Sequence, residues 1–228
     1  MNNMFNTLKL SDLDIKKYKI LRNPTSTRPT VWLVEANGKK AVVKDFSRNR
    51  FFFRNIIGRF LIWREKKAYS SLAGIQNIPT LYHSIDGLAL VIEQVQGENL
   101  GKLGKKKVTL PEDFFQELQN LLEKVHKRGI AHCDLKTSTN ILLGRDKKPH
   151  LIDWAASISK REFKIFPLNL IYNQFLKDDF MAVVKHQIRY LPDSVTPEQR
   201  RTYHHQSKQE KIIRSIRNRL RQILQKIS

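Results

Sequence analysis

The chain is 228 residues long, 40% hydrophobic, and carries a formal net charge of +21 with a single cysteine. That length suits one domain or two closely packed lobes with a proper apolar core, and a third domain does not fit. One cysteine excludes an internal disulfide and a cysteine-rich zinc cluster. Met1 to Phe5 lack the basic and apolar regions of a secretory signal, and no apolar run approaches the roughly 20 residues of a bilayer span. A cytoplasmic protein that is not integral to a membrane is expected.

In chain order, Asp14 to Leu21, Thr30 to Ala36 and Lys40 to Phe46 read as strands, the last two joined by the hairpin signal Asn37-Gly38. Phe60 to Leu72 reads as a helix whose only acid is Glu65. Leu81 to His83 and Leu88 to Ile92, around Asp86-Gly87, complete a small antiparallel group. Glu93-Gln94-Val95 follows as a hinge, Gly97 to Leu100 opens a helical region, and Gly101 to Lys107 reads as a flexible basic loop. Phe114 to Arg128 places Leu118, Leu121, Leu122 and Val125 at helical spacing and is closed by Gly129. Ile141 to Leu143 and His150 to Ile152 form a hairpin through a polar turn, so that Asn140 and Asp153 bracket it. Asp178 to Tyr190 is a further helix ending before Pro192, and a basic amphipathic helix is expected over about residues 206–227. The pattern is α+β, with a first part over 1–94 and a second over 95–228.

The chemistry concentrates in His132-Cys133-Asp134-Leu135-Lys136-Thr137-Ser138-Thr139-Asn140 and Leu151-Ile152-Asp153. An aspartate at position 134 can orient an attacking hydroxyl, and Asn140 with Asp153 can hold the Mg2+ ions that bridge ATP phosphates. Chemistry of that kind also needs a strand lysine on the phosphates and a helical glutamate to hold it. Lys44 in Ala41-Val42-Val43-Lys44 and Glu65 supply the pair.

On Lys44, Glu65, Asp134, Asn140 and Asp153, taken in order, the chain resembles the protein-kinase-like superfamily from about residue 14 to about residue 190. Within it the short length is similar to the small bacterial lipopolysaccharide core (Kdo/heptose) kinases and the RIO-type kinases, and Ile152-Asp153-Trp154 also looks like the aminoglycoside phosphotransferases. The resemblance implies a two-lobed fold, an antiparallel lobe with one main helix followed by a reduced helical lobe, with ATP and Mg2+ as cofactors. It implies that the backbone of Glu93 to Val95 receives adenine, that Lys136 contacts the transferred phosphate, and that Ser157 to Asn173 replaces a long activation segment.

Departures accompany the match. Leu21 to Pro29 has no glycine where a phosphate-covering loop is usually Gly-rich, leaving hydroxyls and Arg28 as substitutes. Cys133 stands where many protein kinases carry an arginine that receives a phosphorylated activation loop, no Ala-Pro-Glu follows Asp153, and Trp154-Ala155 replaces Phe-Gly. Activation-loop control is not expected. Asp134 to Asn140 is one residue longer than usual, so the loop must bulge.

The charge excess bears on the partner. Arg48 to Lys67 holds seven Lys/Arg and one acid among aromatic residues, and Arg200 to Lys226 holds nine against Glu210 alone. Basic amphipathic segments fit an anionic membrane surface. The expectation is an ATP-dependent phosphotransferase acting on a sugar hydroxyl of a lipopolysaccharide core or similar anionic glycolipid, peripheral at the inner membrane face. The alternatives are a serine/threonine, RIO-like protein kinase and a non-catalytic pseudokinase scaffold; nucleic acid is the second choice of polyanion.

Overall fold

A computed structural model describes residues 4–165, 168–204 and 215. The chain falls into two compact units: one takes the described part of Met1–Gly74 together with Pro79–Val95, the other Ile75–Ile78 with the described part of Gln96–Ile227. Ile75–Ile78 belongs with the second because Asn77 Nδ2 donates to the Pro149 carbonyl at 3.0 Å and the Leu151 amide donates to the Asn77 carbonyl at 3.2 Å.

The first unit is an antiparallel sheet in the order β1-β2-β3-β5-β4, from β1 (Lys19–Arg22), β2 (Thr30–Ala36), β3 (Lys39–Asp45), β4 (Leu81–Ile85) and β5 (Ala89–Glu93). Asn37 at φ 50° and Gly38 at φ 71° make the tight β2–β3 turn, because consecutive positive φ values match the twist of paired strands. Trp32, Val34, Ala41 and Val43 share one face of the sheet and are buried with Phe5, Leu8, Leu13 and Tyr18. Those last four come from 3-10 turns and a bend that precede β1. Residues 14–18 are therefore not part of the strand expected over Asp14 to Leu21: the Tyr18 and Lys17 amides donate to the Asp14 carbonyl, closing a turn that sends Tyr18 into the core. α1 (Arg59–Ser71) buries Ile62, Glu65, Ala68 and Tyr69, and a π-helical stretch, Phe53–Gly58, extends it at its start.

The second unit holds a three-stranded antiparallel sheet, β6-β8-β9, and a two-stranded ribbon, β10-β7. The strands are β6 (Gly97–Asn99), β7 (Ile130–Ala131), β8 (Ile141–Gly144), β9 (Pro149–Leu151) and β10 (Ile158–Ser159). Its helices are α2 (Leu100–Lys106), α3 (Phe114–Lys127), α4 (Leu168–Tyr190) and α5 (Pro197–His204). Gly129, at φ 76°, ends α3 where the sequence placed the stop.

Two expectations are corrected. Gly101 to Lys106 is helix, not loop, with Lys107 as its left-handed cap: Asn99 Oδ1 caps the start of α2 by accepting from the Lys102 amide, and the glycines are there for closeness. A Cβ on Gly101 would lie 2.8 Å from Ser138 Oγ, and one on Gly104 2.8 Å from the Tyr190 ring. α4 begins ten residues before the expected start at Asp178, and within those ten residues Gln174 is buried along with Ile171 and Tyr172. Polar residues on an inward face erase the apolar periodicity from which a helix is read. The amphipathic helix expected over 206–227 lies outside the described residues.

Gly97 in β6 pairs with Gly144, and a Cβ at 97 would collide with the Leu143 carbonyl oxygen and with Gly144 Cα, both backbone atoms that cannot rotate away. Gly97→Ala is expected to destabilise by about 2 kcal/mol, a fall of roughly 4–8 °C in melting temperature by calorimetry.

Candidate active site

In the first unit the sheet register puts Lys44 on the face opposite Trp32 and Val43, where Glu65 meets it. Lys44 Nζ lies 2.5 Å from Glu65 Oε1, with the glutamate side chain 3% exposed and the lysine 15%. Two buried charges cost desolvation that their attraction roughly offsets, so the pair is poorly explained by stability alone. The glycine-free loop between β1 and β2 is closed by side chains instead: Thr25 Oγ1 accepts from the Arg28 amide, and Asn49 Nδ2 donates to the carbonyls of Thr25 at 2.8 Å and Arg28 at 3.1 Å. Asn49 is 7% exposed, and nothing in its sequence neighbourhood marks it. Glu93 ends β5, and its carboxylate accepts from the Thr80 amide at 3.0 Å, so its side chain is engaged within the sheet while Val95 is half-buried beyond it.

In the second unit the loop after β7 is fastened from α4. Asp179, 2% exposed, accepts from the His132 amide at 2.7 Å and the Cys133 amide at 2.9 Å, and His126 Nε2 lies 3.2 Å from the same carboxylate. His186 Nε2 donates to the Leu135 carbonyl at 2.9 Å, and His132 Nε2 donates to the Ile152 carbonyl at 3.0 Å. The His132 ring packs 4.5 Å from that of Trp154, itself fully buried. His132 thus braces this loop.

These ties present Asp134. Thr137 Oγ1 donates to one carboxylate oxygen at 2.9 Å and Asn140 Nδ2 to the other at 3.0 Å, while the same Nδ2 also reaches the Asp134 carbonyl at 3.1 Å. The extra loop residue is absorbed without separating Asp134 from Asn140. The Thr137 amide turns back to the Asp134 carbonyl and a 3-10 turn, Ser138–Asn140, follows, so two successive tight turns take up the additional length. Sequence spacing missed Thr137 as well as Asp179; a hydroxyl three residues beyond a loop aspartate was the available signal.

Asp153 lies just past β9 at φ 66°, and Cys133 sits at φ 67°, both left-handed positions that non-glycine residues adopt at a cost. The preceding Ile152 amide donates to the Asn140 carbonyl at 3.1 Å, which ties the end of this hairpin to its start. Lys136 is exposed and lines a small pocket with Cys133, Leu135, Phe175, Asp178 and Asp179. With its amide nitrogen turned to Asp134, Asn140 presents an oxygen, and Asp153 supplies a carboxylate; these hard oxygen donors fit Mg2+, which keeps waters and takes phosphate oxygens as further ligands. Among the described residues no cluster of three or more His, Cys, Asp or Glu side chains forms a metal cage.

Residues 35–200 match the family model described as RIO domain. The chain is also 39% identical over 70 residues to human serine/threonine-protein kinase ULK3, which covers 29% of this chain and 15% of that protein. It is 30% identical over 138 residues to serine/threonine-protein kinase PknD of Chlamydia caviae, 53% of this chain and 14% of that one. It is 40% identical over 86 residues to serine/threonine-protein kinase PknA of a Nostoc species, 35% and 15% of the two chains. The matches thus span about one-seventh of the length of these relatives.

Burial holds the His186 pKa below its ordinary value of 6.5, with Lys185 and Arg189 adding to the effect and the Leu135 carbonyl opposing it. The folded chain therefore binds fewer protons at this site than the unfolded chain does just below 6.5. Stability is complete above that value and is lost as pH falls through the lowered one. Melting curves are expected to shift downward as pH drops below 6.5, and less steeply for His186→Gln, which keeps a donor for Leu135.

Proposed function

Since the chain belongs to the RIO domain family, we propose that it is an ATP-dependent kinase that transfers phosphate to serine or threonine hydroxyls of a protein. The observation that carries the reading is the buried Lys44–Glu65 pair, a charged contact that stability alone explains poorly and that phosphate binding explains well. ATP with Mg2+ supplies the phosphoryl group and offsets its charge.

The residues of the chain then divide the work. Lys44, held by Glu65, receives the α- and β-phosphates, and the backbone from Glu93 to Val95 receives adenine. Asn140 and Asp153 hold Mg2+. Asp134 accepts the proton of the attacking hydroxyl, and Thr137 and Asn140, each bonded to one of its oxygens, aim it. Lys136, exposed two residues after the base, offsets charge on the group in transit. The relatives above, all named as serine/threonine-protein kinases, support a protein acceptor. A sugar hydroxyl of an anionic glycolipid is the second reading, favoured by the exposed aromatic and basic residues of Phe51 to Lys67.

Labelled ATP, Mg2+ and a lysate split into protein and lipid fractions separate the two. Label is expected in the protein fraction; label confined to extracted lipid would replace the first reading by the second. Asp134→Asn is expected to reduce transfer by about 10²–10⁴-fold with the fold intact. Full activity in that variant would remove Asp134 from the role of base. Thr137→Val is expected to lower kcat roughly tenfold while leaving the KM for ATP unchanged, because it frees one carboxylate oxygen and touches no phosphate ligand.

A further inference from the structure

The outer face of α1 and of the π-helical turn before it plays no part in the chemistry above. Phe51 and Phe52 are each 73% exposed, Ile56 55%, Phe60 45% and Trp63 53%. Five large apolar side chains within thirteen residues make a patch that water disfavours and that single surface hydrophobes do not form. Ile56, Phe60, Trp63 and Lys67 follow one another three or four residues apart, so they run along one stripe of the helix. The charge around them has one sign. From Arg48 to Lys67 the only acid is Glu65, which is buried against Lys44, so the exposed charges of this segment are cationic.

We propose that this face docks on an anionic lipid surface, with Phe52, Ile56, Phe60 and Trp63 entering the headgroup boundary and the neighbouring arginines and lysines meeting lipid phosphates. A convex helix with protruding aromatic tips and flanking cations has the shape that interfacial helices use. The ring faces argue against nucleic acid as the occupant. Phe60 and Trp63 stack on each other at 6.0 Å, Arg64 lies over Phe60 at 5.6 Å, Lys67 over Trp63 at 5.1 Å and Arg54 over Phe51 at 5.5 Å. At least one face each of Phe51, Phe60 and Trp63 is thus already covered, which leaves less ring surface for a base to stack on, whereas ring edges remain to enter lipid. A second copy brings a further net charge of +21, and the chain's own segment from Arg200 to Lys226 has nine Lys/Arg against one acid, so both would meet the patch with like charge.

The chain contains its own reporter. Of three tryptophans, Trp32 and Trp154 are fully buried and only Trp63 is exposed. With vesicles of equimolar phosphatidylglycerol and phosphatidylcholine, the full chain is expected to show a blue-shifted emission and reduced quenching by acrylamide; with phosphatidylcholine alone, neither. Trp63→Phe should lose the signal yet still co-sediment with the anionic vesicles. Phe52→Ser with Phe60→Ser should lower partitioning about tenfold or more at unchanged circular dichroism. Arg64→Gln with Lys67→Gln should weaken it and flatten its salt dependence. Sedimentation without any Trp63 response would place the contact elsewhere on the chain and overturn the proposal. So would an emission shift that survives Trp63→Phe, or quenching by single-stranded RNA in a sample that vesicles leave unchanged. Lipid-free self-association that shields Trp63 would overturn it in favour of a second copy.

Discussion

The second unit depends on one buried carboxylate. Asp179 sits in the middle of α4 and accepts the amides of His132 and Cys133, two consecutive backbone donors, the second on a residue at φ 67°. A buried acid without partners would be costly, and a left-handed cysteine in a loop would relax; each makes the other tenable. The next residue is Asp134, so the direction of its side chain follows from this attachment. His186, two helical turns further along α4, fastens the Leu135 carbonyl on the far side of Asp134. The proposed base is therefore held fore and aft by one helix, and its own oxygens are shared between Thr137 and Asn140. Such a carboxylate loses little freedom when a substrate hydroxyl arrives, which is the advantage of preorganisation.

α1 in the first unit solves a different problem with opposite faces. Inward, it carries one acid, Glu65, at a depth where only the Lys44 ammonium makes it tolerable. Outward, it carries aromatic rings roofed by cations. The π-helical turn at Phe53–Gly58 lies just ahead of the acid, and Gly58 is buried where an added Cβ would come 3.0 Å from that of Phe46. The widened turn lets the chain pass close to Phe46 before the regular helix sets the angle at which Glu65 points.

Much of this was legible because it rests on local rules. Asn37-Gly38 specified its turn, the alternation of Trp32, Val34, Ala41 and Val43 specified the buried face, and Gly129 specified the end of α3. The Lys44–Glu65 pair and the Asp134–Asn140 contact were legible for another reason: the family resemblance ties those residue types to that order along the chain. What stayed hidden was polar and buried. Gln174 is buried among the first ten residues of α4 and interrupts their apolar pattern, so they did not read as helix. Gly101 and Gly104 read as loop although they are sites of close packing inside α2. The glycine-free loop raised the opposite difficulty, since its closure comes from Asn49, more than twenty residues away in sequence from its partners' carbonyls.

The distribution of charge decides how binding to this chain must be interpreted. At +21 the chain draws any polyanion toward it by long-range attraction, whether nucleotide, lipid headgroup or nucleic acid. Attraction of that kind is screened by salt and carries no information about a site. The Lys44–Glu65 pair is different, because the lysine side chain is only 15% exposed and its direction is fixed by a buried partner. A phosphate bound there meets a positioned charge in a low-dielectric setting, where screening is weak. On the proposed reading, selectivity for nucleotide over other anions rests on positioned groups such as this buried pair, and not on the large exposed excess that dominates the sequence.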